Sequence, residues 1–94
     1  MNNTTTTPKL DQLRKNFEAA TKELNKYSEA KGITHFYDGD YKYLELSLAR
    51  MEAYKAMKQE EVSEFKFTRI HAPVINERIR RIKSRMSNLK RGGY

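Results

Sequence analysis

Arg78, Arg81 and Arg85 fall at i, i+3 and i+7. On a helix that spacing puts three guanidinium groups along one flank, about 5 Å apart per step. Each guanidinium is a planar fork of donors that matches two oxygens of a phosphate. Arg80, Lys83, Lys90 and Arg91 spread further positive charge around the same segment, where Glu77 is the only acid. A row of this kind is a surface for a phosphate-rich ligand, nucleic acid or nucleotide. The plainer alternative is a solvated face whose charges pair with Glu60, Glu61 and Glu64. The sequence has no zinc-finger spacing and no aromatic ribonucleoprotein motif. A helix-turn-helix needs a tight turn before the basic helix, where the residue pattern suggests a longer linker.

A second group of residues is aromatic: His35, Phe36, Tyr37, Tyr41 and Tyr43, with Lys42 among them. Tyr37, Tyr41 and Tyr43 are the candidates to stack on a base or to anchor a protein partner. The same rings would serve equally to cover the open end of a helical bundle. Sequence alone does not place them near the arginines, where the two groups would merge into one nucleotide-sized site. His35, Asp38 and Asp40 are the only cluster with metal-ligand chemistry, but their spacing fits no calcium loop. They read as helix caps around a Gly39 turn, so no metal and no cofactor is expected. His71, just before Ala72-Pro73, reads as a cap or linker residue.

Catalysis has little to draw on. There is no Cys, so neither a thiolate zinc site nor a cysteine nucleophile exists. No Gly-rich loop precedes a helix, and no Ser sits in a nucleophile elbow. A non-enzymatic binding protein is the expectation.

These side chains must be carried by helices. The chain has 94 residues, 37% of them hydrophobic and 33% charged, with a net charge of +7. One domain is all this length supports. Charge is uneven: residues 1–32 carry +2, residues 33–64 carry −3 and residues 65–94 carry +8. The polar start, residues 1–7, reads as a disordered tail without the basic and apolar regions of a signal peptide. Thr7-Pro8 then caps a first helix over 8–31, with Leu10, Leu13, Phe17, Ala20, Leu24 and Tyr27 in heptad steps and Gly32 as its stop. A second helix over 40–63 has an apolar arc centred on Tyr41, Leu44, Leu48, Met51 and Val62. The arc is wide enough for two neighbours, which makes this helix central. Phe65–Ala72 alternates like an extended linker pinned by Phe65, Phe67 and Ile70. A third helix over 73–91 carries the seam Ile75, Ile79, Ile82, Met86 and Leu89, with Gly92-Gly93 ending it.

The expected fold is therefore all-α, a single domain over 8–94. It is either a small three-helix bundle or a helical hairpin that oligomerises. No stretch is apolar enough to span a membrane, and the lack of Cys suits a reducing cytoplasm. The expected function is a basic module for a phosphate-rich ligand. The alternative is a protein–protein regulator or inhibitor, of the phage or plasmid accessory type, that sets its basic helix and aromatic loop against an acidic partner.

Overall fold

A computed structural model describes residues 7–91. The expected tail, apart from Thr7, and the Gly92-Gly93 stop lie outside these residues. All regular structure within them is helical: α1 (Pro8–Lys31), α2 (Tyr41–Glu61), a short turn α3 (Glu64–Lys66), a π-helical segment (Phe67–His71) and α4 (Ala72–Arg91). None of the helices is long and apolar enough to cross a membrane.

The termini of α1 are set by local chemistry. Thr7 Oγ1 accepts the Leu10 N–H at 3.0 Å, Pro8 opens the helix, and Gly32 closes it at φ 73°. The Gly32 and Ile33 N–H groups return to the carbonyls of Glu29 and Ser28. A side chain at Gly32 would be strained in that left-handed conformation.

Helix α2 is central, as its wide apolar arc predicts, and packs against both α1 and α4. The directions alternate. Lys9 and Arg14 at the start of α1 pair with Glu60 and Glu61 at the end of α2, and Phe17 meets Tyr54. Arg85 near the end of α4 reaches back to Asp38, just before α2. Helices α1 and α4 thus run parallel on either side of an antiparallel α2. The core is Leu44, fully buried, with Met51, Phe67, Ile75 and Ile82. Leu48, Tyr54, Ile79, Met86 and Leu89 border it. The seam of α1 is less covered: Leu10 is its only buried residue, and Leu13, Phe17, Leu24 and Tyr27 are half-buried.

Two readings of the sequence are corrected. Phe65–Ala72 is not an extended linker: it is helical, and only Val62-Ser63 separates α2 from the next turn. Of its three expected pins only Phe67 is buried, while Phe65 and Ile70 are exposed. The cause lies at Pro73, which has no N–H to give the Arg69 carbonyl one turn back and would clash with it in a regular α-helix. The backbone widens instead, and the Ala72 N–H bonds the Phe67 carbonyl five residues back. The widening also corrects phase. Eight residues of regular helix would leave Phe67 about 80° from Ile75, and one extra residue in a turn brings both onto the face toward α2. The tight break at Val62-Ser63 removes the linker that spoke against a helix-turn-helix. Packing of α4 along the length of α2 makes the pair an antiparallel hairpin rather than a steep crossing. The second correction is Tyr41, expected on the apolar face but exposed, with Tyr43 buried in its stead.

Asp40 joins α1 to α2. Its carboxylate caps α2 by accepting the Tyr43 N–H at 3.0 Å, and it accepts the Tyr27 hydroxyl of α1 at 2.8 Å. Partial burial works against the charge, but the hydrogen bonds from Tyr43 and Tyr27 outweigh it and hold Asp40 below the usual carboxylate pKa. The lowered value fixes the sign: Asp40 stabilises the fold above the unfolded-state pKa near about 3.9, and this is lost as pH falls through the lower folded value. Asp40→Ala is expected to cost about 1–2 kcal/mol at neutral pH, read as a lowered urea midpoint. Asp40→Asn should keep most of the cap and show a shallower loss of stability below about pH 4 than the parent. Parallel acid profiles would contradict this assignment.

A candidate anion-binding groove between α1 and α4

The parallel placement of α1 and α4 leaves a groove over α2. Its first compartment has a volume of about 440 Å³ and brings together residues from every long helix and the first loop. Tyr43, Ser47, Arg50 and Met51 of α2 form the floor, Leu24 comes from α1, Phe36 from the loop, and Arg78, Arg81, Ile82 and Arg85 from α4. The volume is that of an ordinary small-ligand site.

The arginine row is positioned by the seam of α4. Ile75 and Ile82 are buried against α2, so residues one step round the helix, Arg78, Arg81 and Arg85, are turned into the groove. Of Glu60, Glu61 and Glu64, the acids expected to neutralise the basic helix, the first two instead meet Lys9 and Arg14 of α1 and Lys58 of α2, and among the described residues none of the three pairs with α4. Two other acids reach the row. Glu77 accepts from Arg81 Nε at 2.9 Å, and Asp38 lies 3.3 Å from Arg85 Nε. Glu77 also takes two bonds from Arg80, at 2.7 and 3.0 Å. Hydrogen bonds from Arg80 and then Arg81 hold its carboxyl down at about 2. It is therefore ionised throughout the neutral range. Arg80, Lys83 and Lys90 do not line the groove and add only to the general positive field.

The sequence reading did not single out Arg50. It enters the groove from α2, held by α1: its Nε donates to Thr21 Oγ1 at 3.1 Å, and its guanidinium lies 5.1 Å from the Phe17 ring centroid. Among the described residues neither Arg50 nor Arg78 has a carboxylate at ion-pair distance. A signal for Arg50 was present: Tyr43, Ser47, Arg50 and Tyr54 step by 4, 3 and 4, a stripe of their own beside the Leu44–Met51 face.

The aromatic residues divide differently from expectation. Tyr43 lines the groove but is buried, 8% exposed, with Phe36 against it edge-on at 6.0 Å. Phe36 itself is 53% exposed and presents the open ring in this compartment. Tyr37 turns away toward Gly39, where a β-carbon would come within 2.5 Å of its hydroxyl, and lines a shallow depression with Lys31 and His35. Tyr41 does not line the groove. His35, Asp38 and Asp40 go to separate partners, Thr34, Arg85 and Tyr27. No three His, Cys, Asp or Glu residues gather around a metal-sized point among the described residues. His71 is part of the π-helical segment and stacks on Phe67 at 6.5 Å. Its Nε2 is buried without a hydrogen-bond partner.

No family model, curated protein or solved structure matches the chain. The groove is therefore read from its own chemistry: four arginines, two of them paired with carboxylates outside the lining, beside the apolar surfaces of Leu24, Phe36, Tyr43, Met51 and Ile82, an arrangement complementary to an anion that also carries a flat apolar part. Glu77 competes with such an anion for Arg81. Glu77→Gln should tighten binding of inorganic tripolyphosphate about two- to fivefold by isothermal calorimetry, the range expected from releasing one exposed ion pair. Unchanged or weaker binding would place Arg81 outside the anion's reach.

Proposed function

We propose that this protein is a non-catalytic binding module for a phosphate-bearing ligand, nucleic acid or nucleotide, held in the groove between α1 and α4. The observation that carries the reading is the convergence of Arg78, Arg81 and Arg85 with Arg50 around one compartment that also holds the open ring of Phe36. Guanidinium groups stay protonated at all relevant pH and neither donate nor accept protons in a reaction, which suits holding an anion rather than transforming it. Phosphates would lie on the arginines, and a base on Phe36. Tyr43, buried behind Phe36, would fix that ring rather than stack itself. The excess of positive charge in residues 65–94 would draw the ligand in. The reading places the protein with its ligand in the cytoplasm.

Self-association belongs to the same proposal. The half-covered seam of α1, with Leu13 and Phe17 open on one side, supports pairing with a second copy. Light scattering is expected to give a defined oligomer in the micromolar range, and a monomer at every concentration would remove this part.

The ligand reading is tested by charge reversal. Changing Arg78, Arg81 and Arg85 together to Glu should abolish nucleic-acid binding. The three sites are exposed, so the helical circular dichroism should be retained. In the parent, log K should fall linearly with log salt, and each single Arg→Gln change should reduce the slope by about 0.7–0.9. Binding that survives the triple reversal would remove the groove as the site.

A further inference from the structure

The groove does not end at its first compartment. A second one, of about 410 Å³, adjoins it along α4, and the two share Arg50, Met51 and Arg78 as common wall. The second compartment extends to Tyr54, Ile70 and Val74. From Ile70 to Arg85 the wall formed by the π-helical segment and α4 follows fifteen residues of helix, about 22 Å. A mononucleotide would fill one compartment and leave the other empty. Arg50 and Arg78, the two groove arginines without an acid partner among the described residues, sit at the junction. The strongest uncompensated charge is therefore midway along the groove, where a continuing backbone would pass.

Each compartment also offers an exposed apolar surface of its own: Phe36, 53% exposed, in the first, and Ile70 and Val74, both more than half exposed, in the second. Duplex nucleic acid turns its base faces inward and shows only edges in its grooves. Unpaired bases present the flat faces that such surfaces take up. Resting on the phosphate reading above, we infer that the ligand is a single strand of nucleic acid that runs along α4 through both compartments, its backbone on Arg85, Arg81, Arg78 and Arg50, with bases against Phe36 at one end and Ile70 and Val74 at the other. At a rise between about 3.4 Å for a stacked strand and twice that for a stretched one, the groove holds about three to six nucleotides.

The test is a competition series with deoxythymidine oligomers, from the mononucleotide to about eight nucleotides, beside a duplex of equal length. Affinity is expected to rise at least about tenfold from the mononucleotide to about four nucleotides and then flatten, with the duplex weaker than the strand. Ile70→Gln, an exposed and uncharged change that lines the second compartment and not the first, should weaken the longer oligomers about threefold or more and change mononucleotide binding far less. The chain has no Trp, so Phe36→Trp supplies one reporter, whose emission should be quenched by the strand. Equal affinity for mononucleotide and oligomer, or a duplex bound as tightly as the strand, would overturn this inference and leave the phosphate reading standing. Displacement of the strand by polyglutamate at equal charge concentration would overturn it in favour of an acidic protein partner. If neither tripolyphosphate nor any nucleotide binds, the phosphate reading falls and this inference with it.

Discussion

Guanidinium groups cannot be shut into a dry interface unless each finds an anion, because the desolvation of a buried charge exceeds what packing returns. The architecture between α1 and α4 follows from that constraint. Arg50, Arg78, Arg81 and Arg85 all face the space between the two outer helices, and among the described residues only Glu77 and Asp38 answer them. Closing α1 onto α4 would strand at least two positive charges. The helices therefore stay apart, α2 alone joins them, and the seam of α1 remains half-covered. A chain with 37% hydrophobic residues has little apolar surface with which to oppose this. It concentrates its core between α2 and α4, around Leu44, Met51, Ile75 and Ile82, and leaves the third interface open.

Much of this could be read from residue order, and what could not has identifiable causes. Caps and heptad steps are local, so α1 matches its expected limits, and α4 starts one residue before its expected start and ends where expected. The width of the apolar arc on α2 correctly made it central, since two packed faces need more than a single stripe. The segment before Pro73 has an extended pattern, because Phe65 and Phe67 alternate as in a strand and the residue before a proline usually avoids helical geometry. Tertiary packing overrides both. Ala72 is helical at φ −58° and ψ −43°, and the π-turn absorbs the missing donor while turning Phe67 into the core.

The groove was half readable for a related reason. A row of arginines on one helix is a property of spacing, and Arg78, Arg81 and Arg85 do share one wall. Which aromatic residue meets them depends on how a loop folds back. Asp40 decides that: by capping α2 and accepting from Tyr27, it fixes where the loop ends, so Phe36 falls on Tyr43 at the mouth of the groove, while Tyr37 is turned over Gly39. Of the aromatic residues of this region, Phe36 is the one whose exposed ring lines the compartment with the arginines. Arg50 escaped notice because its role depends on α1, whose Thr21 and Phe17 hold it in place.

The two acids at the rim give the groove a further property. Arg81–Glu77 and Arg85–Asp38 are exposed pairs of the kind that solvent screens and that contributes little to stability. They relieve the mutual repulsion of the arginines, and under the proposed reading an incoming phosphate, with more charge and more acceptor oxygens, would displace them at small cost. Asp38 belongs to the same loop as Phe36. Under the proposed reading, loss of its pair with Arg85 would free the loop that carries Phe36. Arg50 and Arg78 have no such competitor among the described residues. The Arg81–Arg85 end of the row would be adjustable and its Arg50–Arg78 end constant, which favours a strand held firmly midway along the groove and more loosely toward Phe36.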